Sequence, residues 1–94
     1  MEQEFVAAWM ASREKAMRMG VRFRPVKEEE AMKTAHRYLS GHRESDGFWQ
    51  LADQKQLKLS LEALAVQKQF TSLFSDEEAN NALTRLMDGG YTFK

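Results

Sequence analysis

"FWQLADQKQLKLSLEALAVQKQF", residues 48–70, is the stretch on which the fold class turns. Its centre, "LKLSL" at 57–61, alternates apolar and polar residues with the period of a strand. Across the whole run, however, Phe48, Leu51, Ala52, Leu57, Leu61, Leu64 and Ala65 recur with the period of a helix. The flanking Gln, Lys, Glu and Ala favour helix, and the segment is long for a strand. It is therefore expected to form one long helix from near Phe48 to about residue 70. The polar connection before it, "GHRESDG", offers Ser45 or Asp46 as the cap that accepts from its first free N–H groups.

Downstream, "SDEE" at 75–78 has the form of a capping box, with Ser75 accepting from the backbone three residues on and Glu78 reaching back. The helix that follows places Ala79, Ala82, Leu83, Leu86 and Met87 on one side and ends at "DGG", where Gly89 is expected in the left-handed conformation. The tail "YTFK" alternates Tyr91 and Phe93.

Upstream, residues 2–19 read as a helix that buries Phe5, Val6, Trp9, Met10, Ala16 and Met17 and is stopped by Gly20. Residues 26–39 read as another, burying Ala31, Met32, Ala35, Tyr38 and Leu39, with "KEEE" placing carboxylates near its positive end and Pro25 leading into its first turn. Between them "VRFR" alternates apolar and basic residues, and the proline that follows pushes Arg24 out of helical geometry. The expected fold is a single all-α domain spanning residues 1–94. It is a small bundle of three to four helices with a short extended connector at about residues 21–25, which pairs loosely with "YTFK".

Composition narrows the functional classes. The chain has 94 residues, 43% of them apolar, with one proline and no cysteine, so it is expected to fold as a globular domain without disulfides or thiolate chemistry. Its acidic start and early break at Ser12 and Arg13 are unlike a signal peptide, and no run approaches a membrane span; a cytoplasmic location is expected. Net charge is zero, but it divides lengthwise: +3 up to residue 43 and −3 from residue 44. That division, together with two Trp, six Phe and two Tyr to be hidden in a small interior, points to an exposed apolar patch and a homo-oligomer.

Two clusters carry chemical potential. "HRYLSGHRESD" holds His36, Ser40, His42, Glu44 and Asp46, but the histidines are six apart across Gly41, the wrong spacing for a helical zinc site, and a triad within one loop lacks separate rigid supports. No catalytic residue, metal or cofactor is assigned. The segment Arg13–Lys27 carries Arg13, Lys15, Arg18, Arg22, Arg24 and Lys27 against Glu14 alone, a local charge of +5. Arg18, Val21, Arg22, Phe23 and Arg24 are the candidate partner-binding residues, Val21 and Phe23 as apolar anchors and the arginines for acidic groups. The expected function is a non-enzymatic protein–protein interaction module, a small cytoplasmic regulator or adaptor, antirepressor- or inhibitor-like, whose partner could be a DNA-bound regulator. The alternative is a nucleic-acid-binding regulator using the basic segment, with Phe23 stacking on a base.

Overall fold

Helix α1, Glu2–Arg18, lays Phe5, Trp9, Arg13 and Ala16 along one buried line at helical spacing. It carries Glu2 and Glu4 at its positive end and Lys15 and Arg18 at its negative end, the arrangement its dipole favours. Gly20, with φ of 92°, then closes it: the N–H of Gly20 donates to Met17 O (3.0 Å) and that of Val21 to Ala16 O (3.1 Å). The structure, a computed structural model, describes residues 1–91. Expectations placed on Phe93 and on pairing by the "TFK" end of the tail lie outside the described residues.

Residues 21–27 belong to no helix or strand. A single 3₁₀ turn, Glu28–Glu30, follows, and α2 runs from Ala31 to Ser40, so Pro25 precedes the helix by several residues instead of opening it. Ala31, Ala35 and Leu39 are its buried line.

The long helix expected over 48–70 is three pieces: α3 (Phe48–Asp53), a 3₁₀ turn (Leu57–Leu59) and α4 (Leu61–Ala65). Lys55 ends α3 in the left-handed region, φ 58°, with its N–H donating to Ala52 O (3.0 Å) and the N–H of Gln56 to Leu51 O (2.8 Å). This is the terminator that Gly20 makes for α1, here built with a lysine. Ser60 starts α4: its Oγ accepts from Ala63 N–H (3.1 Å) and donates to Leu57 O (2.7 Å). The alternation of "LKLSL" reflects a tight turn that buries Leu57, Leu59 and Leu61 in succession. Nor do Ser45 or Asp46 cap α3, whose N-cap is Gly47 at φ 79° with no side-chain bond.

A second 3₁₀ connection, Thr71–Leu73, leads to α5, Asp76–Asp88. Here the capping box forms as expected: Glu78 N–H donates to Ser75 Oγ (3.1 Å) and Ser75 N–H to Glu78 Oε1 (2.9 Å). The buried face of α5 is rotated from the expected one. It runs through Glu78, Ala82, Arg85 and Leu86, and Met87 is 68% exposed. At the helix end Gly90, φ 84°, takes the left-handed position, while Gly89 is ordinary in φ at −81°. Gly89 is needed for proximity instead: a Cβ there would lie 2.8 Å from Leu57 Cδ1 and 3.1 Å from the Phe48 ring.

The described residues thus form an all-helical fold of five α-helices, against the three to four expected, because one long element is broken at Lys55 and Ser60. Helix α4, buried at every position, packs on α5 and α1, and α2 packs on α5. Two apolar clusters result. One joins Phe5, Trp9, Ala35, Leu39, Leu64, Phe70 and Phe74. Phe5 meets Phe70 and Phe74 edge-on at centroid distances of 5.3 and 5.1 Å, the favoured geometry for ring pairs. The other joins Ala16, Val21, Phe48, Leu51, Leu57, Leu59, Ala63 and Leu86. No helix among the described residues is long and apolar enough to cross a membrane.

Candidate functional site

Arg22 and Arg24 lie on the segment that connects α1 to the Glu28–Glu30 turn, and that segment is anchored from both sides. Its burial alternates: Val21 is buried, Arg22 exposed, Phe23 half-buried and Arg24 exposed. From one side, Arg22 N–H donates to Gln50 Oε1 (2.9 Å) and Arg24 N–H to Asp46 Oδ2 (2.6 Å). From the other, the buried Arg13 guanidinium donates to Arg24 O (2.6 Å) and lies over the rings of Phe23 (4.8 Å) and Trp9 (5.7 Å). Burial pulls the Arg13 pKa down and nearby Asp46 offsets part of that. Gly47 makes the close approach possible, since a Cβ there would stand 2.6 Å from Phe23 Cε1 and 2.9 Å from Val21 Cγ1.

The loop facing this segment, residues 41–47, is held by a buried ionic network. Glu62, wholly buried on α4, accepts from Ser45 N–H (2.8 Å) and Ser45 Oγ (2.5 Å). Arg85 of α5 stands 3.6 Å from the same carboxylate and donates to Tyr38 O (2.8 Å) and Gly41 O (2.6 Å). Asn81 adds a bond to Leu39 O (2.8 Å). Burial raises the Glu62 pKa, opposed by the Ser45 bonds and by Arg85. Each of these side chains satisfies a backbone group that the end of α2 and the following loop would otherwise leave unpaired.

Between segment and loop runs a surface groove lined by Arg22, Arg24, Tyr38, Arg43, Glu44, Asp46, Trp49 and Gln50, among others. The Arg22, Arg24 and Arg43 guanidinium groups form no hydrogen bond or ion pair with any of the described residues. Trp49 is 50% exposed; its indole N–H donates to Glu44 Oε1 (2.9 Å) and its ring meets Phe48 edge-on at 5.2 Å. Expected in the core with the other aromatics, Trp49 instead turns outward as Phe48 turns in.

Of the residues singled out from sequence, the groove brings together Arg22 and Arg24. Val21 is 3% exposed and belongs to the second apolar cluster, with Phe23 packed against it, so both support the segment from beneath. Arg18 is exposed on α1, paired with Glu14 (2.8 Å) and away from the groove lining. Lys15 and Lys27 do not line it either. Arg43, Tyr38 and Trp49 were not anticipated. Trp49 had a signal in its position, one residue off the stripe of Phe48, Leu51 and Ala52; Arg43 had none beyond its polar loop.

The histidines separate. His36 Nδ1 bonds Glu78 Oε2 (2.7 Å), with the ring tilted on Phe74 at 5.1 Å. His42 lines a different depression, with Ser40, Asn81 and Asp88. Burial alone would raise the Glu78 carboxyl, but the bonds from Ser75 and His36 together bring it below its ordinary value. Among the described residues no three of His, Cys, Asp or Glu come together to hold a metal ion. Compared with protein-family models, curated proteins and solved structures, the chain matches none.

Proposed function

We propose that the chain is a non-enzymatic interaction module that binds an acidic segment of another protein in the groove of Arg22, Arg24, Arg43 and Trp49. The observation that carries this reading is three guanidinium groups without a partner among the described residues, beside a half-exposed tryptophan, on a backbone pinned by buried side chains. Arginine and tryptophan are the residue types that dominate binding energy at protein interfaces, and a fixed frame lowers the entropy lost on docking. In this reading Arg22, Arg24 and Arg43 contact carboxylates, Trp49 supplies the apolar contact, and Val21 and Phe23 hold the segment in place. The protein then acts as a small cytoplasmic regulator or adaptor, antirepressor- or inhibitor-like when the acidic segment belongs to a DNA-bound regulator.

A nucleic-acid strand could also lay phosphates on the arginines and stack a base on Trp49. Glu44 and Asp46 within the same groove disfavour a polyanion more than a discrete acidic peptide. Two of the six cations of the basic segment are engaged internally as well, Arg13 in the core and Arg18 with Glu14.

Affinity recovery from a native lysate, with and without nuclease, tests the proposal on the wild type and on a variant with Arg22→Glu and Arg43→Glu. Nuclease-resistant recovery of a protein that the variant loses supports the reading. Recovery that nuclease abolishes transfers the groove to the nucleic-acid alternative. A partner bound equally by both chains removes the groove from the function.

A further inference from the structure

The two ends of α1 carry opposite and complementary surfaces. Beside its first turns an open groove is lined by Glu2, Val6, Ala7, Glu28, Glu29 and Met32. The carboxylates of Glu2, Glu28 and Glu29 form no ion pair or hydrogen bond with any of the described residues, and Val6 and Met32 are only half-buried between them. At the other end of the helix Met17 is 48% and Met19 40% exposed, although both are apolar. They alternate with cations: Lys15 and Arg18 stand on the same last turns, and the Arg18 side chain is 77% exposed despite its bond to Glu14.

We infer that copies of this chain associate head to tail, with Met17 and Met19 of one copy seated on Val6 and Met32 of the next and Lys15 and Arg18 facing Glu2, Glu28 and Glu29. Three features favour a second copy as the occupant. Both signs of charge are complementary, so the contact is steered as well as attractive. Methionine is unbranched and adaptable, suited to an apolar groove it must enter and leave. A chain cannot fill its own groove, because the helical rise of about 1.5 Å per residue puts Met17 roughly 16 Å along the axis from Val6. The contact is heterologous, each copy offering one tip and one groove, so growth continues until a ring closes. Being small, it belongs to the weak and transient class. None of its residues lines the Arg22–Arg43–Trp49 groove, so it stands apart from the proposed partner site.

Sedimentation equilibrium or light scattering over about 10 to 500 μM, the range that weak interfaces require, tests this. The wild type should rise above the 10.9 kDa of one chain as concentration increases. A tip variant, Met17→Ser with Arg18→Gln, and a groove variant, Glu28→Gln with Glu29→Gln, change only exposed positions and should each stay monomeric. An equal mixture of the two should form a dimer and grow no further, since one tip and one groove survive between them. A wild type that stays monomeric throughout would overturn the inference and leave the groove to a basic segment of some other protein. So would variants that associate like the wild type, or a mixture no heavier than its components.

Discussion

Glu62→Ala is the perturbation that most directly probes how the fold holds its groove. The side chain is fully buried, accepts two bonds from Ser45 and faces Arg85 at 3.6 Å. Its removal strands the Ser45 N–H, which costs about 1–3 kcal/mol for a buried donor. It also leaves the Arg85 charge without its counterion; breaking a buried pair from one side costs about 3–5 kcal/mol. These effects overlap, and Arg85 keeps the carbonyls of Tyr38 and Gly41, so the net loss should be roughly 3–4 kcal/mol.

For a chain of this length total stability is about 5–14 kcal/mol, so the substitution removes a large share of it. The melting temperature should fall by roughly 12–30 °C. Urea denaturation followed by far-ultraviolet circular dichroism measures the change directly, and a loss below about 1 kcal/mol would refute the reasoning. Glu62→Gln separates charge from hydrogen bonding, because an amide can accept from Ser45 N–H and donate to Ser45 Oγ. The folded pKa of Glu62 lies above the ordinary 4.5, so the titration-linked part of its contribution is fully present below 4.5 and is lost as pH rises through the folded value, while the Ser45 bonds and the pairing of the ionised carboxylate with Arg85 remain. The glutamine variant, which cannot ionise, should therefore gain on the wild type as pH is raised from 4 toward neutrality.

Other changes test single features. Ser75→Ala should cost about 0.5–2 kcal/mol in thermal or urea unfolding, since it removes one arm of the capping box. Lys55→Gly should raise stability by about 0.5–1 kcal/mol, because a left-handed position strains any residue with a Cβ; no change in the urea midpoint would refute that account of the break after α3. Glu78 titrates in the opposite sense to Glu62: its depressed pKa gives stability that is present above 4.5 and lost as pH falls below it, so Glu78→Gln should flatten the acid limb of the stability profile. Phe23→Ala should lower the melting temperature by removing the ring between Arg13 and Gly47, whereas Arg22→Glu should leave it unchanged and slow partner association.

The parts of this fold legible in the sequence are those governed by neighbouring residues. Ser75 and Glu78 cap α5 because the partners are three apart, and the stop at Gly20 follows from a glycine beyond the last apolar residue of a clear period. What escaped was decided by distant groups. Lys55 adopts a positive φ that no lysine advertises, and it divides a segment whose apolar spacing runs on unbroken. Met17 and Met87 continue their apolar stripes yet face solvent, while Arg13, Glu62 and Arg85 occupy buried positions. Periodicity sorts residues by polarity; it does not register a charge buried because a loop carbonyl or amide awaits it. In the groove, Arg22 and Arg24 were legible from the alternation with Val21 and Phe23, but Arg43 and Trp49 reach it only through the folding of residues 41–50 onto that segment.

The buried charged residues share a pattern that links stability to the groove. Arg13 bonds the backbone of the segment after α1, Arg85 the carbonyls at the end of α2, and Glu62 the amide of Ser45. In each case a helix reaches into irregular backbone instead of pairing only with another helix. Residues 21–27 and 41–47 lack ladders of their own, so without these bonds several of their polar groups would need water. With them, the backbones flanking the groove are tied to α1, α4 and α5, while the guanidinium groups of Arg22, Arg24 and Arg43 have no partner among the described residues. Desolvating Arg13, Glu62 and Arg85 costs stability that apolar residues would not, and what it secures is the placement of two loop backbones on either side of the groove.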